Sequence, residues 1–172
     1  NQSGYYNVSS QSRGNLFQDN VSDGGLFQIY GFRIGPVVNS GDVWLRNVSV
    51  SNMADGFYIE ATTNGSLLSN TCVDNRRSGF YLDSSSNLFL QGNYMSRSTN
   101  GYRLFDQANG NLLLDNVTEG AVTHGVHLTN SSSNRLIGNR AWGSGSNGIL
   151  VETSPWGNEF LSNQVHSNAY MG

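Results

Sequence analysis

The sequence predicts an all-β fold, a right-handed parallel β-helix (solenoid) of about seven coils of roughly 23 residues. Three observations predict it. An asparagine returns at a fixed spacing, a glycine follows it in phase, and short apolar pieces recur at the same place in each unit.

The asparagine series runs Asn47, Asn70, Asn93, Asn116 and Asn139, 23 residues apart each time; Asn163 follows after 24 and Asn20 precedes by 27. Nine residues after most of these stands a glycine (Gly56, Gly79, Gly125, Gly148, Gly172), with Gly101 one residue early. A second polar series reads Asn64, Asn87, Asn111, Asn134 and Asn158, with Asn15 as its earlier member. The first series is expected to form a side-chain ladder, as amides do in stacked sheets. Its asparagines should also tolerate a left-handed turn, and the recurring glycine should supply a positive φ at the next bend.

Each unit contains two clear strands and a shorter third. The first strand is the apolar pair before the ladder asparagine: Trp44-Leu45, Leu67-Leu68, Leu113-Leu114, Leu136-Ile137, Phe160-Leu161. The second follows the glycine and alternates, as in Phe57 and Ile59, Phe80 and Leu82, Tyr102 and Leu104, Val126 and Leu128. Period-two alternation over four or five residues marks a strand with one buried face. The third is the short stretch holding Val48 and Val50, Cys72 and Val117. Strands this short bury a face only by stacking coil on coil. Residues 1–172 therefore read as one β-helix domain, with 21–42 as an enlarged coil. The chain begins and ends at the same phase of the repeat, with no amphipathic capping helix. It is expected to be a segment of a longer rod, or a unit that self-associates end to end through unpaired strand edges.

Composition narrows the partners. Charged residues make up 12%, all nine basic residues are arginine, and the net charge is −3, so there is no basic field for nucleic acid. Cys72 is the single cysteine, which rules out an intrachain disulfide and a cysteine metal cluster. No apolar run is long enough for a membrane-spanning helix. The sequence starts at Asn1, without a signal-peptide pattern, as a processed or excised chain would.

The pattern N-x-[LF]-[LI]-x-N, then a glycine, then an apolar-x-apolar strand resembles the parallel β-helix repeat of the pectin-lyase-like superfold. Within it the chain is most similar to NosD-type and cell-surface β-helix repeat proteins, over essentially its whole length. The resemblance implies the fold and an extracellular, cell-surface or periplasmic location. It leaves function open, because this architecture hosts lyases, hydrolases, epimerases, tailspikes and inert stalks.

Alternation makes the residue between the two inward ones of the post-glycine strand point outward. That column is Tyr58, Tyr81, Arg103, His127, Leu150, flanked by Glu60, Asp83, Phe105, Thr129, Glu152. Tyr58, Tyr81, Arg103, His127, Glu60 and Asp83 are the candidate carbohydrate-binding residues, since aromatic rings offer stacking area with a polar handle. The leading expectation is a non-catalytic structural rod or carbohydrate-contacting scaffold with a polysaccharide or glycan partner and no cofactor. The alternative is a polysaccharide lyase, epimerase or hydrolase, with Tyr81, Arg103, His127 and Asp83 as acid, base and carboxylate-neutralising groups. The Asp-Pro-His motif of mannuronan epimerases is absent, since proline occurs only at Pro36 and Pro155. No metal site is expected. Alternation places His124 and His127 on different faces or strands, and the NosD resemblance carries no copper ligands onto these residues. Of the Asn-X-Ser/Thr sequons, Asn20, Asn47 and Asn116 fall in the ladder. Asn7 and Asn130 are the ones expected to be open to glycosylation.

Overall fold

A computed structural model describes residues 3–7 (backbone), 13–25, 27–36, 41–153 and 156–170. Among them the chain forms three parallel seven-stranded sheets, and successive strands of a sheet come from successive coils. The first sheet comprises Ser3–Asn7, Tyr30–Ile34, Phe57–Glu60, Ser78–Asp83, Asn100–Phe105, Val126–Thr129 and Ile149–Glu152. The second comprises Leu16–Gln18, Val43–Leu45, Ser66–Leu68, Phe89–Gln91, Leu112–Leu114, Arg135–Ile137 and Glu159–Leu161. The third comprises Val21–Asp23, Val48–Val50, Thr71–Val73, Tyr94–Ser96, Val117–Glu119, Arg140–Trp142 and Gln164–His166. The coils wind as a right-handed parallel β-helix, the hand that parallel crossovers take almost without exception.

The register is strict, so equivalent residues stack. Phe32, Phe57, Phe80 and Tyr102 form one continuous pile inside the helix, with ring centroids 4.6, 5.1 and 4.8 Å apart. Beside them run Ile34, Ile59, Leu82, Leu104 and Leu128, all buried, and from the second sheet Leu67, Leu90, Leu113 and Leu136. Burial of each such side chain contributes about 1.5–3 kcal/mol. These side chains form one continuous core cluster inside the helix.

The asparagine ladder is continuous from Asn20 to Asn163. At each step the main-chain N–H and the Nδ2 of one asparagine both donate to the Oδ1 of the next, as in Asn70 to Asn93 (2.8 and 3.0 Å) and Asn93 to Asn116 (2.9 and 2.9 Å). The second Nδ2 hydrogen reaches back to a backbone carbonyl, Leu67 O in the case of Asn93 (2.8 Å). Asn47, Asn70 and Asn93 are fully buried with both ends of the amide satisfied. The pile and the ladder are tied together by the Tyr102 hydroxyl, which donates to Asn93 O (3.1 Å).

Three expectations need correction. The ladder asparagines do not hold the left-handed conformation; the residue before each does, as at Arg46 (φ 50°), Ser69 (52°), Asp115 (51°) and Ser162 (54°). The recurring glycines do not have positive φ either. They are glycine for want of space: a Cβ on Gly56 would sit 2.6 Å from Cys72 Sγ and 2.7 Å from Gly79 O. The second polar series is two columns joined by a slip of one residue. Asn64 (φ 60°) and Asn87 (φ 55°) belong to a left-handed turn column with Gly41, Gly110 and Gly157. The true second ladder runs one residue on, with Asn111 donating to Asn134 Oδ1 (2.9 Å) and Asn134 to Asn158 Oδ1 (2.8 Å). The step of 24 from Asn87 to Asn111 conceals the slip.

The enlarged coil keeps its strands in register. Val21 pairs with Val48 and Phe32 with Phe57. The four additional residues are thereby divided between the turns on either side of Tyr30–Ile34. Gly172 and the side chain of Asn7 lie outside the described residues.

Asn93 separates the two kinds of asparagine experimentally. Asn93→Ala strands two donors of Asn70 and takes one donor each from Leu67 O and Asn116 Oδ1, so chemical denaturation should show a loss of about 3 kcal/mol or more. Asn87→Gly, at an exposed left-handed turn, should change stability by less than about 1 kcal/mol.

Candidate functional site

The outer faces of the three sheets differ in chemistry. The second sheet turns out mainly aliphatic side chains, among them Leu45, Leu68, Leu114 and Ile137, all part-covered. The first sheet gathers the larger set of aromatic, cationic and acidic groups in adjoining columns; the third carries a smaller one, with Tyr94 bonded to Glu119 and Arg140 beside the stacked Trp142 and His166. The central column of the first sheet is Arg33, Tyr58, Tyr81, Arg103, His127 and Leu150, in register on consecutive strands. Beside it run Glu60, Asp83, Phe105, Thr129 and Glu152.

The structure therefore brings the candidate residues onto one face, but it does not leave them equally open. The ring of Tyr81 is only 6% exposed. Arg77 and Arg103 lie over it, each with its guanidinium carbon 5.2 Å from the ring centroid, and Phe105 meets it edge-on at 6.2 Å. Tyr58 is half-buried, stacks on Tyr30 at 4.9 Å, and donates its hydroxyl to Asp83 (3.3 Å). Arg33 pairs with Glu60 at 2.8 Å. The Nε2 of His127 lies 2.9 Å from Glu152 Oε1 and 3.0 Å from Thr129 Oγ1. Burial and the carboxylates of Glu60 and Asp83 push the Tyr58 phenol well up. Burial, with Asp83, raises Tyr81 too, against the opposing pull of Arg103 and Arg77. Both rings stay phenols at neutral pH.

A third outward column lies just before the glycines: Tyr30, Asp55, Ser78, Asn100 and His124. Sequence reasoning missed it. Strict alternation puts one outward residue between two inward ones, but each recurring glycine and the apolar residue after it both face inward, as in the buried pairs Gly31-Phe32 and Gly101-Tyr102. The count slips by one there. His124 and His127 consequently share a face, with ring centroids 5.0 Å apart, contrary to the expectation that alternation separates them. Asp-Gly at 55–56 and Arg-Ser-Gly at 77–79 were the available signals.

Asp55 is the unusual member. Its side chain is wholly buried, Oδ1 accepts from Ser78 N (3.0 Å), and Oδ2 accepts no hydrogen bond; Arg77 Nη1 stands 3.7 Å away. Desolvation pushes its carboxyl up to about 6, in spite of Arg77, Ser78 and Arg103. Close by in the same columns, Ser78 Oγ, Arg103 Nε and His124 Nδ1 are likewise buried without a hydrogen-bond partner. Buried polar groups normally find partners, so such a concentration marks a place built for something other than stability. Burial, then His127, lowers the pKa of His124.

The sign of the Asp55 effect is fixed. An acid whose folded pKa lies above its unfolded value destabilises the fold above the folded pKa, and the cost fades as pH falls towards the unfolded value. From 3.8 to about 6 the cost reaches about 3 kcal/mol. Asp55→Asn should thus raise stability at pH 7.5, and the gap between variant and wild type should close between pH 6 and 4 in pH-resolved thermal melts.

Comparison with known proteins places the rod. It superposes on the periplasmic alginate epimerase AlgG with a TM-score of 0.76 at 18% identity, covering 93% of this chain and 42% of that one. It superposes on the A-module of the Azotobacter vinelandii mannuronan C-5 epimerase AlgE6 with a TM-score of 0.67 at 18% identity, covering 99% and 53%. The Streptococcus pneumoniae surface protein and adhesin PfbA gives a TM-score of 0.54 at 12% identity, covering 94% and 50%. These likenesses establish the shared fold, and the chain spans about half the length of those structures. No curated protein matches the sequence. A family model described as "Periplasmic copper-binding protein (NosD)" matches residues 18–172.

The described residues do not fit the copper of that description. Copper sites take imidazole, thiolate or thioether ligands in a convergent set. Here His127 is engaged by Glu152 and Thr129, and Cys72 is sealed in the core with its Sγ directed at Gly79 O (3.2 Å). No three His, Cys, Asp or Glu side chains converge as a metal-ligand cluster among the described residues. With its model matched over residues 18–172, the chain belongs to the NosD family.

Proposed function

We propose that this chain is a non-catalytic, extracytoplasmic β-helix that contacts carbohydrate along the outer face of its first sheet. The observation that carries this is the in-register column Arg33–Tyr58–Tyr81–Arg103–His127 with its flanking carboxylates. Coils advance by about 4.8 Å, so the column offers a linear series of similar contacts, which suits a repeating polymer better than a compact ligand. Half-buried Tyr58 and the edges of Phe105 and His127 supply apolar area, while Glu60, Asp83 and Glu152 supply acceptors for sugar hydroxyls. The periplasmic description of the family and the surface adhesin among the solved relatives support a location outside the cytoplasm.

The alginate epimerases among the solved relatives support a second reading, a polysaccharide-active enzyme, and Asp55 is the observation in its favour. A carboxyl titrating near 6 beside two arginines suits proton transfer. Against it stand the covered ring of Tyr81 and the raised pKa of both tyrosines, which leave no phenol poised as a base.

A glycan screen followed by calorimetry tests the two. Under the scaffold reading a polysaccharide binds, His127→Ala and Tyr58→Ala each weaken it about tenfold, equivalent to about 1.4 kcal/mol, and the polymer is recovered unchanged. Recovery of a shortened or epimerised polymer, with the change abolished by Asp55→Asn, would establish the enzyme instead.

A further inference from the structure

Four of the nine arginines are neutralised by a carboxylate on a neighbouring coil. Arg33 pairs with Glu60, Arg46 with Asp19, Arg97 with Asp74 and Arg135 with Glu159, all at 2.7–2.8 Å. Arg103 breaks this pattern. It is part-buried, its register neighbours are Tyr81 and His127, and its Nε is buried without a hydrogen-bond acceptor. Arg77 lies over the same Tyr81 ring, about half exposed, and stands off from Asp55 at 3.7 Å without a hydrogen bond. Two guanidinium groups thus lie over one aromatic ring with fork-like donors unspent, the donor type that suits a planar carboxylate.

We infer that Arg77 and Arg103 form a subsite for the carboxylate of an acidic saccharide, and that Asp55 takes up a proton as this subsite fills. The inference rests on the carbohydrate reading of the same face and deepens it by naming the anionic group. The second half follows from charge balance. Asp55, wholly buried, is held in its charged form by Arg77, the amide and hydroxyl of Ser78, and Arg103. The other titratable groups that face it are the Tyr81 phenol and, from the core, the Cys72 thiol, both of which stay neutral at pH 7. An incoming carboxylate draws the arginine charge to itself and adds a like charge nearby, so the proton affinity of Asp55 rises further. The proton comes from solvent, and no bond of the saccharide is broken.

The experiment is isothermal calorimetry of the whole chain at pH 5.0 and 7.5, in paired buffers of different ionisation heat. Three probes are titrated: an oligogalacturonate, a sulfated dextran, and a neutral xylo-oligosaccharide of matched length. The expected result is that oligogalacturonate binds about tenfold more tightly at pH 5.0 than at 7.5, with net proton uptake near pH 7. In Asp55→Asn the affinity at pH 7.5 should rise to the low-pH level and both the pH dependence and the proton uptake should vanish. Arg103→Gln should abolish the preference for the acidic probe over the neutral one, while Arg103→Lys should restore part of it; circular dichroism melts confirm that each variant is folded. Binding of the neutral probe with no preference for oligogalacturonate, or a pH dependence unchanged in Asp55→Asn, overturns the inference alone. Stronger binding of the sulfated than of the carboxylated probe overturns the assignment to a carboxylate. Failure of all three probes to bind would overturn the carbohydrate reading itself.

Discussion

A buried primary amide has four hydrogen-bonding valences, and inside a protein none can be left empty cheaply. The ladder from Asn20 to Asn163 meets this constraint by letting each amide complete the next, with the spare hydrogen returned to a backbone carbonyl. A shift of one residue in any coil would open the ladder at two junctions at once. Register is thereby fixed along the rod, and fixed register turns position in the repeat into position in a column. The aromatic pile through Phe32, Phe57, Phe80 and Tyr102 and the outer columns of the first sheet are both consequences of it.

This arrangement frees the outer face from any part in specifying the fold. The inside is repetitive because it must be, whereas the central outward column changes from Arg33 through two tyrosines to Arg103 and His127 without disturbing the backbone. Elsewhere the exposed Arg46, Arg97 and Arg135 are neutralised by a carboxylate on an adjoining coil, which is what stability alone would favour. Around Asp55 the pattern is different. A desolvated carboxyl, an arginine with a buried nitrogen unused, and an unpartnered serine hydroxyl and imidazole occur within a few strands of one another. The fold tolerates these groups because the ladder and the core hold the backbone on both sides of them.

Much of this was legible in the sequence, because a solenoid writes its geometry as spacing. The 23-residue step of Asn47 through Asn139 gives coil length and ladder together, and the alternation at Phe57 and Ile59 gives the inward face. What spacing does not carry is the reason for a residue. Gly56 reads as a bend but is demanded by the crowding of Cys72 and the next coil, and Asn87 reads as one series with Asn111 but occupies a left-handed turn. The part of the site that stayed hidden, Asp55 with Arg77 and His124, lies where the recurring glycine and its successor both face inward and alternation miscounts. The covering of Tyr81 by two guanidinium groups depends on side-chain paths that no periodicity records.

The central claim is that saccharide lies along the outer face of the first sheet. Hydroxyl-radical footprinting of the chain with and without a bound oligosaccharide addresses it directly, because aromatic and imidazole side chains on different sheets report separately. Protection of Tyr58, Phe105 and His127, with Tyr94, Trp142 and His166 of the third sheet unchanged, is the predicted pattern. Protection confined to the third sheet, with Tyr58 and His127 oxidised as before, would contradict it.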